Sequence, residues 1–403
     1  MSAEPWLHIV GIGEDGMAGL SPAARALVEA AEVIIGGDRH HRLSDRVTAE
    51  RIAWPSPFDA MIGTIRSHRG RRIVILVTGD PLWYSVGARI TRAIPAIEIR
   101  FHPQISAFQW AACRLGWSLA DVETLTVHGR AAEQIVPYFH PGARLIVLAR
   151  DASSPATVAR LLVERGYGRS RLAVLAALGG PREQRFDGMA EEWGPPVPDF
   201  HTLAVECVAG EGAQVLARTG LPDEVFRHDG NITKRAVRAL TLARLVPLRG
   251  ALLWDVGSGC GSVAVEWMRG APEAAAIGIE PRADRRALAA ENALALGAPK
   301  LELVDGTAPA ALAGLPTPDA VFIGGGLSAP VIEASLKALK PFGRLVANAV
   351  TLESEAVLFE AASRHGGELT RLSVHHAVAV GGHRGWRPQM PVTQWALAKG
   401  GNP

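Results

Sequence analysis

Apolar residues in this chain gather in short runs separated by glycine, proline and charged residues. In the first half the runs are Leu7–Val10, Val33–Ile35, Ile73–Val77, Leu125–Val127, Leu145–Leu148, Leu172–Val174 and Thr202–Val208. In the second half they are Leu252–Trp254, Ile277–Glu280, Leu301–Val304, Asp319–Ile323 and Arg344–Asn348. Runs of this length without alternation predict strands buried on both faces. Between them lie helical stretches. Ser21-Pro22 supplies an N-cap and a first-turn proline, Ser106-Ala107 opens a helix holding Phe108 and Trp110, and Pro155 starts another. Arg235–Leu245, Val263–Met268 and Lys337–Phe342 complete the pattern. Strand and helix in alternation predict α/β architecture with parallel sheets.

The most informative stretch is Leu252–Ser262, LLWDVGSGCGS. It reads as a buried strand closed by Asp255, a turn with Gly257, Gly259 and Gly261, and a helix start. Glycines let a ligand approach backbone closely, and the helix start presents free N–H groups. The dinucleotide fingerprint requires Gly-x-Gly-x-x-Gly, but here its last position is Ser262. A turn without that glycine and preceded by an acid resembles the S-adenosylmethionine loop of class I methyltransferases, with Ser258 and Cys260 inside it. Glu280, ending the next strand, is placed to accept from both ribose hydroxyls, or is a solvated strand-end acid.

With 403 residues, the chain is long enough for two domains. Its 48% hydrophobic and 20% charged residues are those of a soluble globular protein, and the apolar runs are too short to cross a membrane. A net charge of +2 argues against a nucleic-acid partner. The start, MSAEPWLHIVGIG, lacks a secretory pattern, which predicts a cytoplasmic protein. Cys113, Cys207 and Cys260 form no CxxC pair, so neither disulfides nor a metal site are expected.

In the first half, Gly11, Gly13 and Gly16 do match the dinucleotide fingerprint, with Asp38 near the ribose-binding spacing. An oxidoreductase is therefore one reading. Against it, the helix opens only at Ser21-Pro22, leaving no helix end beside the loop for a pyrophosphate. The ordered series Gly11–Gly16, Gly79-Asp80-Pro81-Leu82, Ser106-Ala107 and His128-Gly129-Arg130 resembles the tetrapyrrole (corrin and porphyrin) methylases, class III S-adenosylmethionine enzymes. That resemblance implies that Gly11, Gly13, Gly79, Asp80, Pro81, Leu82, Ser106 and Ala107 line a cofactor cleft between two α/β subdomains. Taken alone, Asp80 also reads, as the weaker alternative, as a turn acid bonding its own backbone. Glu14-Asp15-Gly16 stands where many of these enzymes have Gly-Pro-Gly, which leaves the role of the two acids open.

Glycine and proline between Gly194 and Pro222 mark a boundary near residue 212, giving domains 1–211 and 212–403. The segment Arg227–Lys234 resembles the opening of a decarboxylating precorrin methyltransferase domain, which places Thr233 beside the cofactor; otherwise it is a helix entry capped by Thr233. By the same resemblance Gly306, Thr307 and Ala308 face adenine, with Asp305 as a displaced acid, and Gly324 lies where substrate meets the methyl group.

A tetrapyrrole methylase fused to a decarboxylating class I domain implies two methylations of a precorrin at carbons 5 and 15. It also implies loss of the ring C acetate carboxyl, giving precorrin-8 in cobalamin biosynthesis. One S-adenosylmethionine per domain follows. His228, Asp229 and Lys234 are candidate proton donors, and Arg384 and Arg387 candidate clamps for substrate carboxylates, unless they lie on a solvated hairpin tip. Related second domains form tetramers, so a homo-oligomer is expected. A methyltransferase acting on RNA or protein is the other alternative.

Overall fold

The computed structural model describes residues 5–400. Two compact units are present. One takes in residues up to Ala132 together with Tyr138–Gln214, and the other Glu133–Pro137 with the chain from Val215 onward.

The first unit holds two five-stranded sheets. Strands β1 (Leu7–Ile12), β2 (Val33–Gly36), β3 (Glu50–Ala53), β4 (Ile73–Thr78) and β5 (Ile99–His102) are parallel in the order β3-β2-β4-β1-β5. The central β4 is buried from Ile73 to Val77. Its two faces feed separate cores, one with Leu7, Ile9 and Met61, the other with Val10, Ile12 and Val28. Strands β6 (Glu123–Thr126), β7 (Arg144–Leu148), β8 (Arg171–Ala176), β9 (Gln184–Met189) and β10 (His201–Glu206) make the second sheet, ordered β6-β7-β10-β8-β9. Helix Ala107–Leu115 leaves the first sheet and packs Phe108, Ala111 and Ala112 against Ile146 and Leu175 of the second. The edge strands β3, β5 and β9 escaped the apolar pattern because their outer positions are polar and exposed.

The second unit is built on one seven-stranded sheet. It runs β11 (Leu252–Val256), β12 (Ala275–Ile279), β13 (Glu302–Val304), β14 (Ala320–Ile323), β15 (Arg344–Ala349) and β16 (Glu368–Leu372). A separate hairpin follows, β17 (His375–Val380) and β18 (His383–Pro388), and then β19 (Val392–Ala398) returns to the sheet. The order is β13-β12-β11-β14-β15-β19-β16, parallel through β15, with β19 antiparallel to its neighbours. The strand order reverses between β11 and β14, and a crevice opens there at the carboxyl edge.

One expected helix is displaced. The residues before β15 form a helix over Ala329–Ala338, not Lys337–Phe342. Pro341 cannot donate to a helical ladder, and Phe342 adopts a positive φ of 63°, so the chain turns there.

Candidate functional site

The carboxyl edge of β11, β12 and β14 borders a cavity of about 680 Å³, a size usual for small-molecule sites. Gly257 has φ +71°, and a Cβ there would lie 2.6 Å from Gly325 Cα, so the β11 and β14 loops touch backbone to backbone. The Gly257 and Ser258 amides donate to Ile279 O at 2.9 and 3.2 Å, fixing the turn against β12. Gly261, with φ +76°, caps the helix Ser262–Gly270.

Two carboxylates serve this corner. Asp255 is buried, and its Oδ2 accepts from Ala264 N at 3.0 Å while Oδ1 has no partner among the described residues. Burial, reinforced by the nearby Glu280 charge, pushes its pKa up to about 7. Glu280 is also buried; Oε2 accepts from Gly259 N at 3.0 Å and Oε1 from Arg282 N at 3.1 Å. Each oxygen keeps a lone pair for a ligand hydroxyl. Ser258 Oγ is likewise buried without a partner among the described residues. Orphaned buried polar atoms beside a cavity fit a polar, cationic ligand that supplies what the protein withholds.

Thr233, Lys234, Gly257, Ser258, Gly259, Cys260, Gly306, Thr307, Ala308 and Gly324 also line this cavity. Asp305 does not; Arg286 holds it at 2.9 Å through both nitrogens, outside the lining. The three candidate proton donors separate. Asp229 accepts from Asn231 N at 3.0 Å and pairs with Arg285 at 2.8 Å. The Asn231 amide first, then the Arg285 guanidinium, hold its pKa down to about 2, so it carries no proton near neutral pH. His228 Nδ1 accepts from Gly230 N at 3.0 Å, and its ring lies outside the lining. Lys234 lines the cavity at the mouth of helix Arg235–Leu245, where it is the N-cap residue in place of Thr233.

Arg384 and Arg387 stand on β18, outside the lining. Three residues apart on a strand, they project to opposite faces and do not form one clamp. Arg387 is directly across from His376, whose Nε2 meets the cavity-lining Gln389 at 3.0 Å, whereas Arg384 is next to the hairpin tip. Sequence reading passed over Asn348, Gln389, Met390 and Arg282 as lining residues. Asn348 stood at the end of the expected run Arg344–Asn348, but nothing in that run marked it as facing a ligand.

In the first unit three loops converge at the carboxyl ends of β1, β4 and β5. A Cβ on Gly11 would lie 1.8 Å from Gly79 O, and one on Gly79 (φ +60°) would lie 2.8 Å from Ser106 Cα. Gln104 N donates to Gly79 O at 3.2 Å, and Ser106 forms a capping box with Gln109. Asp80 Oδ1 accepts from Leu82 N at 2.7 Å, the local turn role. Pro81 is buried, while Leu82 is exposed beside Trp83 and Tyr84, whose rings pack at a tilt against Phe108 with centroids 5.2 and 5.9 Å away. Gly13 opens the loop that carries Glu14, which pairs with Arg39. Arg39 also donates to Thr78 Oγ1 at 2.8 Å and covers the Phe200 ring at 4.1 Å. The dehydrogenase geometry is absent. A 3₁₀ turn, Gly16–Gly19, separates the glycines from helix Pro22–Glu29, and Asp38 begins a helix of its own.

Residues 6–193 match the family described as Tetrapyrrole (Corrin/Porphyrin) Methylases, and residues 224–399 the family described as Precorrin methyltransferase domain. A Sinorhizobium protein named precorrin-6Y C(5,15)-methyltransferase [decarboxylating] is 47% identical over 98% of this chain and 97% of its own. Two proteins of Salmonella typhimurium match shorter parts. One, named cobalt-precorrin-7 C(5)-methyltransferase, is 32% identical over 42% of this chain and 83% of its own. The other, named cobalt-precorrin-6B C(15)-methyltransferase (decarboxylating), is 35% identical over 33% of this chain and 71% of its own.

Proposed function

The chain belongs to the precorrin-6Y C(5,15)-methyltransferases (decarboxylating), and on that premise we propose that its units divide the chemistry between them. The first methylates carbon 5 of a precorrin. The second methylates carbon 15 and decarboxylates the ring C acetate, giving precorrin-8 in cobalamin biosynthesis. The proposal includes one S-adenosylmethionine per unit and a boundary near residue 212. Relatives named for a C(5) methylation and for a decarboxylating C(15) methylation are separate chains, which supports the division.

The observation that carries the reading is the orphaned Asp255 Oδ1 and Ser258 Oγ beside Glu280 in one cavity. S-adenosylmethionine supplies an already activated methyl group, so the protein's task is alignment, worth roughly 7–11 kcal/mol when geometry is well fixed. Asp255 receives the ammonium of the methionine portion. Glu280 accepts from the ribose hydroxyls, and Thr307 faces the adenine. In the first unit Gly11, Gly79 and Ser106 let backbone from three loops cradle the cofactor, and the exposed Trp83 offers an aromatic surface to the macrocycle. Decarboxylation breaks the bond from the acetate methylene to its carboxyl carbon. The electron pair enters the conjugated ring, carbon dioxide departs, and a proton is added. Lys234 is our choice of donor, since of the three candidates it alone lines the cavity. Copies of the chain associate through the second unit, where Val380, Trp386 and Met390 are exposed on and beside the hairpin.

The test is incubation of the full chain with the precorrin and methyl-labelled S-adenosylmethionine. Two labelled methyl groups and one carbon dioxide per precorrin are expected. Label transfer to RNA or protein, with none to the tetrapyrrole, overturns the proposal.

A further inference from the structure

A buried polar network lies under the far wall of the second unit's cavity, and the proposed function leaves it without a role. Thr241 and Gln394 are fully buried, and Asn348, the last residue but one of β15, lines the cavity. The direction of every hydrogen bond in the network follows from one of them. Thr241 Oγ1 donates to Val237 O, one turn back in its own helix, at 2.9 Å. Having given its only hydrogen, that oxygen accepts from Gln394 Nε2 at 3.0 Å and from Asn348 Nδ2 at 3.3 Å. The second Gln394 Nε2 hydrogen goes to Asn348 Oδ1 at 2.8 Å. The Asn348 amide is therefore locked, with oxygen inward and one N–H left for the cavity. Gln394 Oε1 is buried without a partner among the described residues, so both of its amide hydrogens serve to hold Thr241 and Asn348.

The surroundings indicate what that N–H meets. β15 is two strands from β11, so Asn348 is about 10 Å across the sheet from the cofactor corner. Its wall includes Val350, Gln389 and Met390 and has no carboxylate; the lining acids, Asp255 and Glu280, belong to the corner. Lys234 is the N-cap of the helix whose Val237 lines the cavity and whose Thr241 holds Asn348, so a cation and the fixed amide border the same cavity.

We infer that Asn348 is a specificity-determining residue that donates a hydrogen bond to a carboxylate of the tetrapyrrole and sets its orientation for the decarboxylating step. Gln394 and Thr241 are positioning residues behind it. This rests on the proposed function of the second unit. A fixed donor aligns the carboxylate with the ring at no further entropic cost.

The experiment compares the wild-type full chain with Asn348→Ala and Asn348→Asp, each first checked by circular dichroism to be fully folded at the assay temperature. The readouts are KM for the precorrin in carbon dioxide release and the ratio of carbon dioxide to C15 methyl groups. Asn348→Ala is expected to raise KM about tenfold or more, the loss of one charge-assisted hydrogen bond, and to lower the ratio. Asn348→Asp keeps the acceptor for Gln394 but sets a carboxylate against a carboxylate, so it is expected to be the worse of the two. A merely structural role predicts the opposite order. Wild-type KM and ratio in Asn348→Ala, or Asp outperforming Ala, overturns the inference alone. Absence of carbon dioxide release from the wild-type chain overturns the functional reading and this inference together.

Discussion

Asp255 shows what a single residue contributes here. Its carboxyl is buried, singly hydrogen-bonded and near Glu280, and its pKa stands at about 7. The folded chain thus holds a proton on this group where the unfolded chain has released it. The associated stability is present below the ordinary carboxylate range and is lost as pH rises through about 7. A cationic ligand reverses the preference, because it binds the ionised form. Affinity of the second unit for S-adenosylhomocysteine, whose ammonium remains, is therefore expected to strengthen between about pH 6 and about pH 8. Asp255→Asn should weaken binding and flatten that dependence; pH-independent wild-type binding counts against the assignment. The sequence placed Asp255 and Glu280 at this corner because both end strands beside a glycine turn. It did not expose Asp229 as a poor acid: the Asn231 amide that does most to lower its pKa bonds it only once the local turn forms, and the second cause, Arg285, is 56 positions away and comes near only in the fold. Asn348 stayed hidden for the same reason, as its partners come from a helix and an antiparallel return strand.

Among the elements, helices Arg235–Leu245 and Ser262–Gly270 are joined by a fully buried ion pair, Arg238 Nε to Glu266 Oε1 at 2.6 Å. Glu266 also accepts from Leu221 N at 3.0 Å, and Arg238 reaches Asp223 at 3.0 Å and covers Phe226 at 4.8 Å. The stretch before the first helix is thereby tied to the two helices whose amino ends border the cavity. Removing one partner leaves the other charged and buried, so Glu266→Ala is expected to cost about 3–5 kcal/mol in denaturant unfolding. A loss under about 1 kcal/mol contradicts that account. Strongly apolar elements such as β4 and β11 were legible because burial on both faces leaves no other reading. The edge strands and the Ala329–Ala338 helix were not, because they mix exposed polar positions with apolar ones, and because Pro341 and Phe342 shape a turn that propensity alone did not place. Ser106 falls between these cases. Its capping box was readable, and Ser106→Ala should cost about 0.5–2 kcal/mol and loosen the loop that Gly79 touches. An unchanged melting midpoint in that variant contradicts the capping role.

At the scale of the whole molecule, two α/β units of different topology present glycine loops at the carboxyl ends of parallel strands. The order of the two family matches along the chain distinguishes this arrangement from a repeated domain. If each unit holds its own cofactor, damage to one leaves the other's site intact. The measurement that tests this most directly is calorimetric titration of the full chain with S-adenosylhomocysteine, alongside Gly79→Ala and Glu280→Ala. We expect two equivalents for the wild type and one for each variant, Gly79→Ala losing the first unit's site and Glu280→Ala the second's. A wild-type stoichiometry of one, or two undiminished sites in both variants, contradicts the account.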